Sequence, residues 1–250
     1  MKAAAIGAAA TSTCWSCRAA TRGEHFCSAC GKIQPLPRGT DYFAFFGLPS
    51  RLQLDETQLE ERFHQLSWKL HPDNFGRASE YERALSLERS SQLNDAYRTL
   101  RDPIRRVEYL LGREGVRKEG QQKQQAPPEL LEEVFELNEW LDELRATGER
   151  AEIASRSSNG AAETAALRGK LEAAQKNFEK KLGEVDAELA AVFAQWDATL
   201  DAGPAGASPN RATGDEAARR KLMERMNQIL NRRSYIRNLV ANVQKELAEA

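Results

Sequence analysis

His71-Pro72-Asp73 interrupts two helical patterns, Asp55–Leu70 before it and Ser79–Leu100 after it, and the reading of the fold turns on that interruption. Pro72 has no backbone N–H and its ring clashes with the preceding turn, so it cannot sit inside a helix. It also biases His71 away from the α region. The triplet is therefore predicted on an exposed turn between two antiparallel helices, with an imidazole and a carboxylate beside a rigid ring. Such a triplet is also ordinary turn chemistry, so the flanks decide. Before it, Leu59, Phe63, Leu66 and Leu70 recur at i, i+4, i+7 and i+11, one stripe of a helix. Asp55 is the expected N-cap, with Gln58 as its capping-box partner. Arg62, Gln65 and Lys69 share another face. After it, Tyr81, Leu85, Leu93, Ala96, Tyr97 and Leu100 form the expected buried side, and Asp102-Pro103 breaks the helix. A short helix Ile104–Leu111 follows, carrying Arg105 and Arg106. Upstream, Asp41–Leu48 reads as a short helix stopped by Gly47 and Pro49, its aromatics Tyr42, Phe43, Phe45 and Phe46 assigned to the core.

All four cysteines lie before residue 31, as two C-x-x-C pairs: Cys14 with Cys17, and Cys27 with Cys30. Four thiolates at this spacing suit a tetrahedral zinc ion, and four protein ligands leave no open position for a substrate. Two disulfides, free thiols and an iron–sulfur cluster are the competing readings; a reducing cytosol disfavours disulfides. The segment is too short to bury a core, so metal would supply its folding energy. Gly31 lets backbone N–H groups turn toward the sulfurs. His25, two residues before Cys27, could replace a ligand, but the simpler reading makes it a surface residue. Pro35, Pro37 and Gly39 mark a linker, which predicts that the cysteine module and the helical region stand apart.

The chain has 250 residues, 36 basic and 37 acidic, enough for two or three small domains and too balanced for a general polyanion binder. No apolar run reaches the length of a membrane span. Met1–Ala10 resembles a signal peptide only weakly, its apolar run being short and not strongly hydrophobic; an organellar leader is the alternative, short and without the expected arginines, and the default compartment is the bacterial cytosol. Beyond a Gln-rich connector at 113–126, Pro127-Pro128 opens a helical region in which Leu130, Leu131, Val134, Phe135, Leu137, Leu141 and Leu144 are interleaved with Glu136, Glu139 and Glu143. The span 148–160 reads as a loop. A long amphipathic helix follows from Leu167 to Leu200. The Gly- and Pro-containing 201–214 reads as a linker, and a last helix carries Leu222, Met226, Ile229, Leu230, Tyr235, Ile236, Leu239 and Val243. The expected organisation is mainly α: a zinc module at 12–34, a four-helix domain at 40–112 and an antiparallel helical bundle at 127–250.

The stretch Asp41–Leu111 resembles a J domain. The resemblance rests on Asp41-Tyr42-Phe43, the His71-Pro72-Asp73 loop, Leu93-Asn-Asp-Ala96-Tyr97-Arg-Thr-Leu100, Asp102-Pro103 and Arg106-Val-Glu-Tyr109-Leu110-Leu111. It implies that His71, Pro72 and Asp73 stimulate the ATPase of a DnaK-type chaperone, and that Arg62 and Lys69 dock on it. Asp55, Glu56, Glu60 and Glu61 make the start of this helix acidic, where the family's docking face is usually basic; this implies a weak or partner-specific contact. The order of parts, with Phe43-Ala-Phe-Phe-Gly-Leu-Pro49 and Leu130–Glu143, resembles the HscB-type co-chaperones of iron–sulfur cluster assembly. That resemblance implies an HscA/DnaK-type chaperone partner and an IscU-like scaffold bound through Leu131, Phe135, Glu136, Glu139, Glu143 and Tyr235. Glu132 stands where the family position is usually apolar. Physically the set is coherent: Leu131, Phe135, Glu139 and Glu143 run at i, i+4, i+8 and i+12 on one helix, an apolar patch with acids beyond it, suited to a partner with an apolar patch and basic residues. The same periodicity also fits core leucines beside solvated acids.

Several functions compete. A co-chaperone without a catalytic site of its own fits best, and no G-x-x-x-x-G-K-[ST] loop is present. A zinc-ribbon nucleic-acid binder requires a basic patch, and only Arg18, Arg22, Lys32 and Arg38 lie near the cysteines. A filament element requires an unbroken helical seam, which the Gly-Pro linker at 201–214 argues against. A general J-domain protein for other clients is the nearest alternative. An enzyme has little support, with three histidines and no nucleophile elbow.

Overall fold

The computed structural model describes residues 12–37, 39–117, 127–153, 158–201 and 209–249, with side chains left aside at 148–161 and 209–215. The chain divides into two compact units, 1–109 and 110–250.

The first unit begins with a two-stranded antiparallel ribbon, β1 (Ser12–Thr13) and β2 (Ala20–Thr21), with Ser12 opposite Thr21. Four helices follow: α1 (Tyr42–Phe45), α2 (Glu56–Leu70), α3 (Glu80–Arg101) and α4 (Pro103–Arg113), the last running across the boundary between the units. Local chemistry sets each start. The Asp55 side chain accepts from Gln58 N–H at 3.1 Å. Ser79 and Glu82 form a reciprocal capping box on α3. Asp102 ends α3 and opens α4: its Oδ1 accepts from Ile104 and Arg105 N–H at 2.8 and 3.0 Å, with Pro103 in the first turn, where a missing N–H costs nothing.

The core of this unit gathers Phe43, Phe45 and Phe46 of the α1 region, Leu59 and Leu70 of α2, Phe75, and Leu85, Leu93, Ala96 and Leu100 of α3. Phe63 stacks on Tyr97 with centroids 4.2 Å apart, tying α2 to α3. Tyr81 was expected inside and stays largely exposed. Arg106 is buried and donates to the carbonyls of Leu100, Leu52 and Arg101 at 2.5, 2.6 and 3.5 Å. Its guanidinium answers the buried carbonyls of Leu100 and Leu52, which water does not reach. Arg106→Ala removes the donors and leaves buried carbonyls bare, so stability should fall by about 2–3 kcal/mol, read from urea denaturation.

The expected separation of cysteine module and helices does not hold. Ile33 is fully buried in the helical core cluster, and the Trp15 ring meets Tyr81 edge-on at 5.0 Å. His25 is not a surface residue: its ring packs on Phe45 at 4.6 Å, and its Nε2–H donates to the Phe45 carbonyl at 2.9 Å. Burial first, and then Arg89 nearby, pull its pKa down, while the carbonyl contact pulls the other way. A two-strand module has too little interior of its own, so its apolar side chains complete the neighbouring core.

The second unit holds a 3-10 turn at Pro128–Leu130 and three helices, α5 (Leu131–Ile153), α6 (Ser158–Asp201) and α7 (Pro209–Glu249). The helices pack as an up-down-up bundle, as their cross-links show. Glu133 of α5 pairs with Lys181 of α6 at 2.7 Å, and Lys170 lies over the Trp140 ring. Arg219 of α7 reaches the Thr199 carbonyl of α6 at 2.9 Å, Arg233 pairs with Asp186 at 2.5 Å, and Arg232 pairs with Glu188. Arg145 of α5 pairs with Glu246 of α7. The core is lined by Leu137, Leu141 and Leu144, by Leu171, Phe178, Leu189, Val192 and Trp196, and by Met226, Ile229, Leu230, Ile236 and Val243. Two expectations change here. The loop expected at 148–160 is helix at 148–153 and again from Ser158, since Glu, Arg and Ala are strong helix formers. The linker expected at 201–214 is helix at Asp201 and from Pro209 onward, with proline at the helix start where it is tolerated; residues 202–208 lie outside the described ones, as do 118–126 of the expected connector.

Candidate functional site

Three groups of side chains carry chemistry. The first is the tripeptide loop. α2 stops at Leu70 because Pro72 follows, which leaves its last carbonyls without helical partners. Ser86 and Ser90 of α3 answer one of them, donating to the Leu70 carbonyl at 2.6 and 3.0 Å. Pro72–Phe75 forms a single 3-10 turn, and Asn74 Nδ2 donates to the Trp68 carbonyl at 2.5 Å. Phe75 is buried, but the His71 and Asp73 side chains are 55% and 89% exposed, with the Asp73 N–H donating to His71 Nδ1 at 3.3 Å. The loop is thus anchored by its neighbours while His71 and Asp73 face solvent. Of the two basic residues expected to dock, Lys69 is exposed. Arg62 is engaged within the fold: its Nη1 donates to the carbonyls of Phe46 and Gly47 at 2.7 and 3.0 Å, closing the C-terminal end of α1. Trp68, unremarked in the sequence reading, is among the most exposed large apolar residues. The signal for it was present, since position 68 falls off the Leu59–Leu70 stripe.

The second group is the cysteine cluster. Its two halves repeat one geometry. Cys14 N–H donates to the Ala19 carbonyl at 2.7 Å and Cys27 N–H to the Lys32 carbonyl at 2.9 Å. Arg18 N–H closes on the Cys14 carbonyl and Gly31 N–H on the Cys27 carbonyl, at 3.0 and 2.8 Å. The equivalent residues Arg18 and Gly31 both have positive φ, 63° and 71°. Glycine adopts that conformation freely, whereas Arg18 pays for it. The four sulfurs lie within 4.8 Å of one another, with Cys14–Cys30 and Cys17–Cys27 each at 3.7 Å. Four thiolates about 2.3 Å from a central tetrahedral ion sit about 3.8 Å apart, so the cluster has the dimensions of a metal site, and no disulfide joins its sulfurs. Burial opposes ionisation of Cys14, but the Cys17 and Ser16 amides and the Cys30 thiol outweigh it, and its pKa falls to about 6. The Lys32 amide favours the thiolate at Cys30, yet burial and the three crowded sulfurs push it up to about 12. Four sulfurs this close cannot all be anionic without a cation among them.

The third group lies on α5. Leu130, Leu137, Leu141 and Leu144 are buried, and the adjacent stripe is not: Leu131 is 42% and Phe135 72% exposed. Glu132, Glu136, Glu139 and Glu143 are exposed on the same helix. Tyr235 of α7 is half-buried.

In chain order, a cysteine knuckle packed on a helical hairpin with a displayed His-Pro-Asp loop precedes a three-helix bundle bearing an acidic, partly apolar face. No protein-family model matches the chain. It is 42% identical over 104 residues to a Co-chaperone protein HscB homolog of Vibrio parahaemolyticus, covering 42% of this chain and 61% of that protein. It is 42% identical over 106 residues to the homolog of Vibrio cholerae, covering 42% of this chain and 62% of that protein. The chain thus spans about three-fifths of the length of the curated relatives it matches. The crystal structure of human co-chaperone protein HscB superposes with a TM-score of 0.61 at 22% identity, covering 94% of this chain and 98% of that one, so the two share a fold. Over those 104 to 106 residues the chain is similar to HscB co-chaperone homologs, and its described residues include a four-cysteine cluster that could hold a metal ion. Among the described residues no helix is long and apolar enough to cross a membrane.

Proposed function

We propose that this chain is a non-enzymatic co-chaperone that stimulates the ATPase of a DnaK/HscA-type chaperone and brings to it an IscU-like iron–sulfur scaffold protein. The observation that carries the reading is the division of labour at the tripeptide. Ser86, Ser90, Asn74 and Phe75 hold the loop, and His71 and Asp73 contribute little to the core, which leaves them available to a partner. Lys69 lies beside them as a docking charge. Arg62 has a structural duty as well, so Arg62→Ala should cost stability in addition to affinity. The client is held through Leu131 and Phe135, with Glu136, Glu139 and Glu143 as an acidic border and Tyr235 as a further aromatic contact. The supporting fact is that α5 leaves two large apolar side chains in solvent beside those acids. The deciding experiment measures steady-state ATP turnover of candidate chaperones with this protein, with a cluster scaffold, and with both. Stimulation by the protein that rises further with scaffold supports the reading; turnover unaffected across the panel sinks it.

The cysteine cluster holds one structural zinc ion, through Cys14, Cys17, Cys27 and Cys30. Zinc favours tetrahedral thiolate ligation and brings no redox chemistry, which suits a fully occupied ligand set. The cytoplasm, where thiols stay reduced, is the fitting compartment. Elemental analysis of protein purified under reducing conditions should give about one zinc per chain, as a single four-ligand site requires. Metal-free protein with two disulfides, or stoichiometric iron, would contradict the assignment.

A further inference from the structure

We propose that the cysteine module braces the chaperone-activating loop, with Lys32 as the positioning residue that connects the metal site to it. The proposal rests on the loop function given above and adds how that loop is held in shape.

The connection is short and continuous. Lys32 directly follows the second knuckle, and its carbonyl accepts from Cys27 N–H at 2.9 Å, so a metal that fixes Cys27 and Cys30 also fixes Lys32. Its Nζ meets both carboxylate oxygens of Glu82, at 2.9 and 3.0 Å. Glu82 is buried, and its Oε2 accepts from the Ser79 hydroxyl at 3.0 Å and the Ser79 N–H at 3.4 Å, while Ser79 Oγ accepts from Glu82 N–H at 3.3 Å. Ser79 ends the loop that His71 begins. One end of that loop is fixed by Ser86 and Ser90 on the Leu70 carbonyl; the other is fixed by Ser79, Glu82 and Lys32.

A second contact runs in parallel, with Trp15 between Cys14 and Cys17. Its Nε1–H donates to the Ile33 carbonyl at 2.7 Å, and its ring meets Tyr81, one residue before Glu82. Both knuckles thus reach the first turn of α3. A capping box closes many helices unaided; here its carboxylate is buried, and burying a carboxylate is costly unless a cation and hydrogen bonds compensate. Lys32 is that cation, and the metal site sets where it stands. The pairing is also long-range, 50 residues apart in sequence, so it constrains the loop from outside the hairpin.

The test uses the full chain. Lys32→Ala removes the cation and leaves the cysteines; Lys32→Arg keeps a cation. Amide hydrogen exchange over residues 76–83 reports on the brace whatever the chaperone does. Lys32→Ala with metal content unchanged should exchange about fivefold faster there, as loss of one helix cap does. Lys32→Arg should restore most of the protection, and chelation of the metal should open the same residues. In the chaperone assay Lys32→Ala should raise the concentration for half-maximal stimulation several-fold and leave scaffold binding unchanged, a split that general unfolding would not produce. Exchange at 76–83 that ignores both Lys32→Ala and metal removal overturns the brace. His71→Gln distinguishes the two levels: if it still stimulates the chaperone, the function assigned to the loop fails, and the exchange data judge the brace on their own.

Discussion

We expect His71→Gln protein to melt with the wild-type protein and to give no stimulation of chaperone ATP turnover. Both halves of this result follow from the loop. His71 and Asp73 lie mostly in solvent, and among the described residues the His71 ring makes its polar contacts with its loop neighbour, accepting from Asp73 N–H at 3.3 Å with the Asp73 carboxylate 3.5 Å away, an acceptance that a glutamine oxygen can replace. Exposed substitutions of this kind change stability by no more than about 0.5 kcal/mol. Asp73→Asn keeps the shape, removes one charge, and should behave the same way. The partner, by contrast, would read the imidazole and the carboxylate directly. Lys69→Ala should weaken docking only partly, and the contact should fade with salt, because exposed charges are screened over about 10 Å at 0.1 M ionic strength. The measurement is ATP turnover beside a thermal melt. A folded His71→Gln protein that still accelerates turnover removes the J-type mechanism from this chain.

Leu131→Ala with Phe135→Ala should weaken scaffold binding at least about 30-fold, the scale of losing apolar anchors at the centre of an interface. The melt should hardly move. Were these side chains core, each would cost about 2–5 kcal/mol, but both are substantially solvent-exposed. Chaperone stimulation without scaffold should be untouched. Glu139→Gln and Glu143→Gln should have smaller effects that shrink as salt rises, while the apolar loss persists. A titration that shows wild-type affinity for the doubly substituted protein would move the client site elsewhere.

The helical hairpin was legible because its signals are local. The period of Leu59, Phe63, Leu66 and Leu70, the cap at Asp55 and the break at Pro72 each act within a few residues, and the structure follows them. The limits of α5, α6 and α7 were not legible, because the small polar stretches at 148–153, 158–160 and 209–214 contain helix formers and are helical. On α5 periodicity marked an apolar side but not which edge of it packing would cover: Leu137 and Leu141 went inside, Leu131 and Phe135 outside. The least legible residues act over long range. Arg106 and Lys32 look like surface charges in the sequence, and only the three-dimensional neighbourhood, carbonyls in one case and a buried Glu82 in the other, gives them their roles. His25 was misread for the same reason. The cysteine spacing announced a metal site, but nothing in it announced contact with α3.

The charged cross-links of the bundle add little to stability one by one, since exposed pairs are worth about 0–1 kcal/mol. Their positions matter more. Helices of 44 and 41 residues with repeating apolar stripes can slide past one another by one turn and still bury apolar side chains against apolar side chains. Such a slip would strand Arg219 away from Thr199, Arg232 from Glu188 and Arg233 from Asp186 together, and would place charges beside the wrong neighbours. Glu133 on Lys181 and Arg145 on Glu246 set α5 against both long helices in the same way. These pairs therefore act as a register code, and what the code preserves is the height at which Leu131 and Phe135 are presented.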